Sequence, residues 1–367
     1  MKHLAFFSLF LFVACTSTKP QTSWPEKMQE LTKSMESSIP YFFNDKDFYN
    51  KNNREVIITK VKKLRAATHH IPEKEAEKIL GEDPMVRQSL QRLQSSIDNA
   101  LEAYVGGNLK YSQSLLQNAV SYCYNCHTSN NLGPKNRLEA PNLMSIKDPI
   151  HRAKALVATR QYDKAKETLQ SYIFHKEDDN FKKEQAIKTY LAIAVKTDHD
   201  KKDALHLVEK YKRQKQVKAP LKESLQAWQK SLMQWTSKRY LSLSQAKEVV
   251  EKKQKQITDS SYVDYLLASK TLHAAAMGKD PARKADSYYH LGIIYDHYPD
   301  FSLWGLADNY YQTCIELQPK TSIARKCYKN LEESVFLGFS GSAGTFIPES
   351  ERLRLKLLRA KAGVKED

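Results

Sequence analysis

Between Trp24 and His127 the apolar residues return every three or four positions, four times over, and that spacing admits little besides packed helices. The first segment has Met28, Leu31, Met35, Ile39 and Phe42; the second has Ile57, Val61, Leu64, Thr68 and Ile71. The third has Val86, Leu90, Leu93, Ile97, Leu101 and Tyr104, and the fourth has Leu109, Leu116, Ala119, Cys123 and Cys126. Each set draws one apolar stripe along a helix. Pro25 suits the first turn of the first helix, and Asp83-Pro84 is a good start for the third. Gly106-Gly107-Asn108 leaves so short a connection that helices three and four must run antiparallel. The expectation is an up-down-up-down four-helix bundle over residues 24–131.

The rest of the chain is expected to be helical too, making the protein all-α. Only 11 of 367 residues are glycine, which argues against a sandwich or barrel. After a linker over 132–149, helical patterning resumes over 150–367 and looks repetitive. Its clearest unit, residues 288–319, resembles a tetratricopeptide repeat. Tyr288, Leu291, Gly292 and Tyr295 fall on one helix, and Ala307, Tyr311, Cys314 and Pro319 fall on or just after the next. Weaker echoes occur at 161–170 and 191–211. One repeat cannot bury its own face, so the resemblance implies an α-solenoid of stacked helix pairs, with the last helix, ERLRLKLLRAKA, as its cap. No phosphate loop or nucleophile elbow is present in this half. Gly338, Gly341 and Gly344 follow no strand and read as a flexible loop.

The N-terminus has a different character. Lys2, the apolar run from Leu4 to Val13 and the small Ala14 form an export signal over residues 1–14. Leu11-Phe12-Val13-Ala14-Cys15 resembles a bacterial lipoprotein leader. That likeness implies acylation of Cys15, a tether over 15–23, and an anchored protein facing the periplasm. Thr16 after the cysteine favours the outer membrane. In that oxidising compartment the remaining pair, Cys314 and Cys327, is expected on consecutive helices as a disulfide.

Cys123, Cys126 and His127 end the fourth stripe as C-x-x-C-H. Two thiols can add to the two vinyl groups of a porphyrin while the adjacent imidazole binds its iron, which makes this the signature of one covalent haem c. On a helix, positions i, i+3 and i+4 share a face, so all three address one side of the group. A redox dithiol would need a strand before the motif, and a structural zinc site would need a fourth ligand from a second motif. Neither is visible; a plain disulfide across the two cysteines is the remaining alternative. In the bundle, the end of helix four lies beside the start of helix one, the end of helix two and the start of helix three. His127 is therefore ringed by Met28, His69, His70 and Met85 as second ligands, with Met35 ~10 Å deeper.

Residues 24–131 thus resemble a class II c-type cytochrome, the cytochrome c-prime group, although here about 240 residues follow the motif. The helix PEKMQELTKSMESSI also resembles the first helix of the related b-type bundle cytochrome. The resemblance implies thioethers at Cys123 and Cys126, a proximal ligand at His127 and a distal ligand at Met28, with Met35, His70 and His69 behind it. Gly133-Pro134 and Met144 mimic a class I segment, but Met144 follows His127 too closely for that fold.

A methionine partner would close the iron and suit electron transfer. An empty distal face would leave it open to a gas, so a haem-based gas or redox sensor, or a scaffold binding proteins through its repeats, is the alternative. No acid/base pair stands beside the motif, so an electron carrier is expected rather than an enzyme such as a peroxidase. The net charge of +16 is uneven: residues 24–131 hold 14 basic and 13 acidic residues, while 132–367 hold 42 basic against 29 acidic. A basic repeat domain suits an acidic or anionic partner. The expected partners are a periplasmic redox protein, a protein docked on the repeats and the membrane through the lipid; nucleic acid is not among them.

Overall fold

The computed structural model of the protein describes residues 24–71, 84–129, 143–175, 179–198, 200–235, 241–253, 258–298, 306–342 and 344–365. The side chains of residues 24–25, 121, 123–129 and 198 fall outside that description. So do the leader, Cys15, the tether, Gly133-Pro134 and most of the linker.

The chain is all-α. Four long helices come first: α1 (Trp24–Phe42), α2 (Arg54–His69), α3 (Pro84–Val105) and α4 (Leu109–Ser129). Each packs on the next, and α1 also packs on α4, which closes the bundle. Cross-helix hydrogen bonds set the directions. Arg54 at the start of α2 donates to the Val105 carbonyl at the end of α3 (3.1 Å). Gln113 and Gln117, early in α4, both donate to the Phe42 carbonyl at the end of α1 (3.1 and 2.9 Å). The stripes face inward as the periodicity requires: Ile39, Phe42, Ile57, Val61, Leu64, Ile97 and Leu116 are fully buried. Each such side chain contributes about 1.5–3 kcal/mol relative to exposure. At the far end from the motif, the single turn Asp45–Phe48 inserts Phe48 edge-on against the Tyr104 ring (5.2 Å between centroids). Gly107, at φ +87°, makes the α3–α4 turn that a side chain would strain.

Among the described residues eleven further helices follow: α5 (Pro149–Ala158), α6 (Tyr162–Phe174), α7 (Asn180–Ile193), α8 (Lys201–Lys212), α9 (Ala219–Gln234), α10 (Leu243–Lys253), α11 (Tyr262–Ala276), α12 (Pro281–His297), α13 (Ala307–Leu317), α14 (Ser322–Gly338) and α15 (Glu349–Ala362). Consecutive members pack on one another along most of this run. The repeat-like unit forms the pair α12–α13. A Cβ on Gly292 would run into the Tyr311 ring closer than real side chains approach, so only glycine lets these helices meet. Cys314 and Cys327 are both buried and joined as a disulfide between α13 and α14, 13 residues apart in sequence. A loop of that size is worth about 3 kcal/mol through the unfolded chain.

One expectation needs correcting. The glycine-rich segment after α14 is not an irregular loop: Ser340-Gly341 pairs antiparallel with Gly344-Thr345 as a small hairpin, and Gly338 is the last residue of α14. The Ser340 and Thr345 hydroxyls, 2.6 Å apart, bond across it. The ribbon is too short to carry a periodic signature of its own.

The last helices return to the bundle. α13 packs along the first turns of α3, and α15 packs on α13. Arg87 pairs with Glu316 (2.5 Å), whose side chain is 10% exposed. Arg92 stands between Asp308 (3.6 Å) and Glu351 (3.5 Å), and Arg354 reaches the same two carboxylates (3.0 and 2.6 Å). The C-terminal half is thus bound to the bundle at the end where α4 carries its motif.

Candidate haem site

α4 remains helical through Ser129, so positions 123, 126 and 127 share one face of a continuous helix. The hydrogen bonds from Gln113 and Gln117 to Phe42 set an antiparallel register between α1 and α4. That register brings the motif level with the half of α1 that carries Met28 and Met35. Ser112 Oγ donates to the Ala100 carbonyl (2.7 Å), which sets the opposite side in the same way: the motif lies level with the first turns of α3.

Of the proposed second ligands, Met28 is half-buried against the core and Met35 is 3% exposed within it. Met85 is also buried, with its sulfur 3.6 Å from the Thr313 hydroxyl of α13. The two histidines lie on the outside of the bundle. His69 Nε2 contacts Asp98 at 3.1 Å, and His70 is 4.0 Å from Glu30 with most of its ring exposed. Despite partial burial of Asp98, hydrogen bonds from Arg65 and His69 hold its carboxyl below the usual range. Met144 is 61% exposed in a short turn before α5.

Sequence reasoning missed the polar collar around the residue before the motif. Tyr122 is half-buried, bonded to Ser96, and lies within the field of Arg92, Asp308 and Arg354. Burial first, then Asp308, push its phenol up against the opposing pull of Arg92. Burial works against the Arg92 charge, but Asp308, Tyr122 and Glu351 outweigh it and hold the guanidinium above its usual range. One turn toward the start of α3, Gln88 is 2% exposed; its Oε1 is 3.1 Å from Thr313 Oγ1, while its Nε2 finds no acceptor among the described residues. A buried amide donor left open at this level suits a site with an acceptor still to come. No periodic rule links α3 to residues more than 200 positions away, so no sequence signal could have found this collar.

A second titratable cluster sits in the repeat half. Lys196, in a π-helical turn over Ala194–Asp198, donates to Tyr295 Oη (2.6 Å), which also lies 2.9 Å from His273 Nε2. Burial pushes the Lys196 amine down to about 7 from 10.5. Burial first and then the Lys196 charge push His273 down to about 3 from 6.5. In both windows the unfolded chain holds a proton that the folded chain does not, so stability rises with pH from about 3 to 6.5 and again from about 7 to 10.5. Lys196→Met is expected to raise the thermal midpoint near neutrality and to flatten the upper rise, measured by melts across pH. An unchanged upper slope would refute the depressed amine.

Among the described residues no three His, Cys, Asp or Glu side chains gather as a metal site, and no helix is long and apolar enough to cross a membrane. No family model, curated protein or solved structure matches the chain.

Proposed function

We propose that the protein is a lipid-anchored, periplasm-facing mono-haem c-type cytochrome that passes electrons, with a solenoid of tetratricopeptide-like helix pairs that docks it to a partner. The observation that carries this reading is C-x-x-C-H on one face of the last bundle helix, level with the half-buried Met28. Cys123 and Cys126 would hold the porphyrin through thioethers, and His127 and Met28 would ligate its iron. The bound group would supply a one-electron couple, with a potential raised by methionine ligation.

The chain's own residues do the rest. The buried stripes of α1–α4 exclude water from the interior. Tyr122 and the Arg92–Asp308–Glu351–Arg354 collar fix the helix turn that leads into Cys123. Because that collar is shared with α13 and α15, the repeat half is joined to the electron-carrying end. A partner docked on the repeats is therefore held near the site where it would exchange electrons.

The test is expression with the cytochrome c maturation machinery, followed by a denaturing gel stained for peroxidase activity. Covalent colour at the mass of the chain is expected, and it should vanish in a Cys123→Ser/Cys126→Ser double variant. A colourless matured protein, or pigment extracted by acid acetone, would end the cytochrome reading.

A further inference from the structure

Of the fourteen large apolar side chains exposed among the described residues, six fall between residues 336 and 357: Phe336, Leu337, Phe339, Phe346, Leu353 and Leu357. They belong to the end of α14, the hairpin after it and the helix that follows, all within 22 residues of sequence. Phe339, the last position before the ribbon, stands next to Phe346, whose N–H donates to the Phe339 carbonyl (3.1 Å) at the base of the hairpin. α15 runs antiparallel to α14, tied by Arg359 to Glu332 and by the Lys320 N–H to the Lys361 carbonyl. Leu353, in the first half of α15, therefore lies toward the hairpin end of α14, and Leu357 lies one turn further from it. Phe346, at 76% exposed, is the most prominent of the six.

The charge around this surface is basic. Residues 320–365 hold ten Lys or Arg against four Asp or Glu. Arg325, Lys326, Lys329, Arg352, Lys356 and Lys361 are exposed. On α15, Arg352 and Lys356 alternate with Leu353 and Leu357 on the outer face. Long basic side chains can lay their stems along apolar surface while their charges stay in water. A second copy of this chain would bring two like-charged faces together, which opposes self-association.

We propose that the α14 end, the hairpin and the outer face of α15 form an interfacial membrane-binding surface that takes an anionic phospholipid bilayer. The phenylalanines and leucines enter the headgroup–acyl boundary, and the surrounding lysines and arginines meet the lipid phosphates. The inference rests on the proposed export: a leader at residues 1–14 would put a bilayer within reach of this surface. The inference is independent of the haem and stands whether or not the chain carries pigment.

Flotation of the full-length chain with Cys15→Ser, which removes the acylation site, tests it. Vesicles of phosphatidylglycerol with phosphatidylcholine are compared with pure phosphatidylcholine, and any contribution of the leader is common to all variants. Phe346→Glu/Leu353→Glu is expected to reduce partition onto the anionic vesicles by about tenfold or more, because two buried apolar contacts are lost. Lys356→Glu/Lys361→Glu should weaken binding and reduce its salt dependence. Unchanged helical circular dichroism and melting in both variants would separate this loss from misfolding, which exposed positions make easy to avoid. Equal partition of the parent chain and the Phe346→Glu/Leu353→Glu variant would overturn the proposal. So would a parent chain that ignores vesicles, whether it dimerises through Phe346 or retains only an acidic protein.

Discussion

Alanine in place of Arg92 is expected to lower the stability of the folded chain by about 2–3 kcal/mol, between the limits for exposed and fully buried ion pairs. The side chains of Arg92, Asp308, Glu351 and Arg354 are 27%, 32%, 20% and 17% exposed, so water screens the group only in part. Removing one guanidinium leaves two carboxylates sharing the other, beside a half-buried Tyr122. Denaturant unfolding of Arg92→Ala, Asp308→Asn and the double variant should return a coupling of about 0.5–3 kcal/mol between them. Arg65→Ala is the control: its partner Asp98 lies on the outside of the bundle, and the loss there is expected to stay under about 1 kcal/mol. Equal costs at positions 92 and 65 would mean that the collar does not hold the two halves together. Because the network spans residues from α3, α13 and α15, its rupture should also release the repeat half from the motif-bearing end, read as new protease cleavage near residues 143–148.

The helices themselves were legible because their signals are local. The stripes of residues 24–127 repeat at the helical period, and Gly106-Gly107 marks the turn between α3 and α4, where Gly107 takes a positive φ. Gly292 and Tyr311 were legible as facing positions on neighbouring helices for a similar reason: a glycine on one helix meets a ring on the next, as the Cβ clash at 292 requires. Pro40 shows the limit of such signals, since α1 runs through it to bury Phe42 and Phe43. What escaped was long-range. Arg87 and Glu316 stand 229 residues apart, and neither position differs in sequence from the many solvated charges around it. The hairpin after α14 escaped for the opposite reason, being too short to show any period. At the candidate site, the residue types and their helix face could be read, whereas the choice among Met28, Met35, Met85, His69 and His70 depended on tertiary neighbours. His69 is engaged by Asp98 and Met85 by Thr313, and neither pairing leaves a trace in spacing.

On the proposed haem reading, Met28→Ala is expected to convert the matured protein from a closed to an open iron. Met28 is half-buried at the level of the motif, while Met35 sits within the core at 3% exposed and Met144 lies outside at 61%. Replacing Met28 removes a sulfur and leaves a space that a single methyl group cannot fill. The methionine-to-iron absorption band should be lost, carbon monoxide should bind, and the potential should fall by on the order of 0.1 V, within the ~0.8 V range that axial ligands span. Met35→Ala controls for simple cavity formation: it is expected to cost about 2–5 kcal/mol of stability yet leave the band in place. The same measurements separate the two functional readings. A parent protein that is already high-spin and binds carbon monoxide would make Met28 core filler and move the assignment from electron carrier to gas sensor. A band that survives Met28→Ala but disappears in Met35→Ala would move the ligand about two helical turns deeper and keep the electron-transfer reading intact.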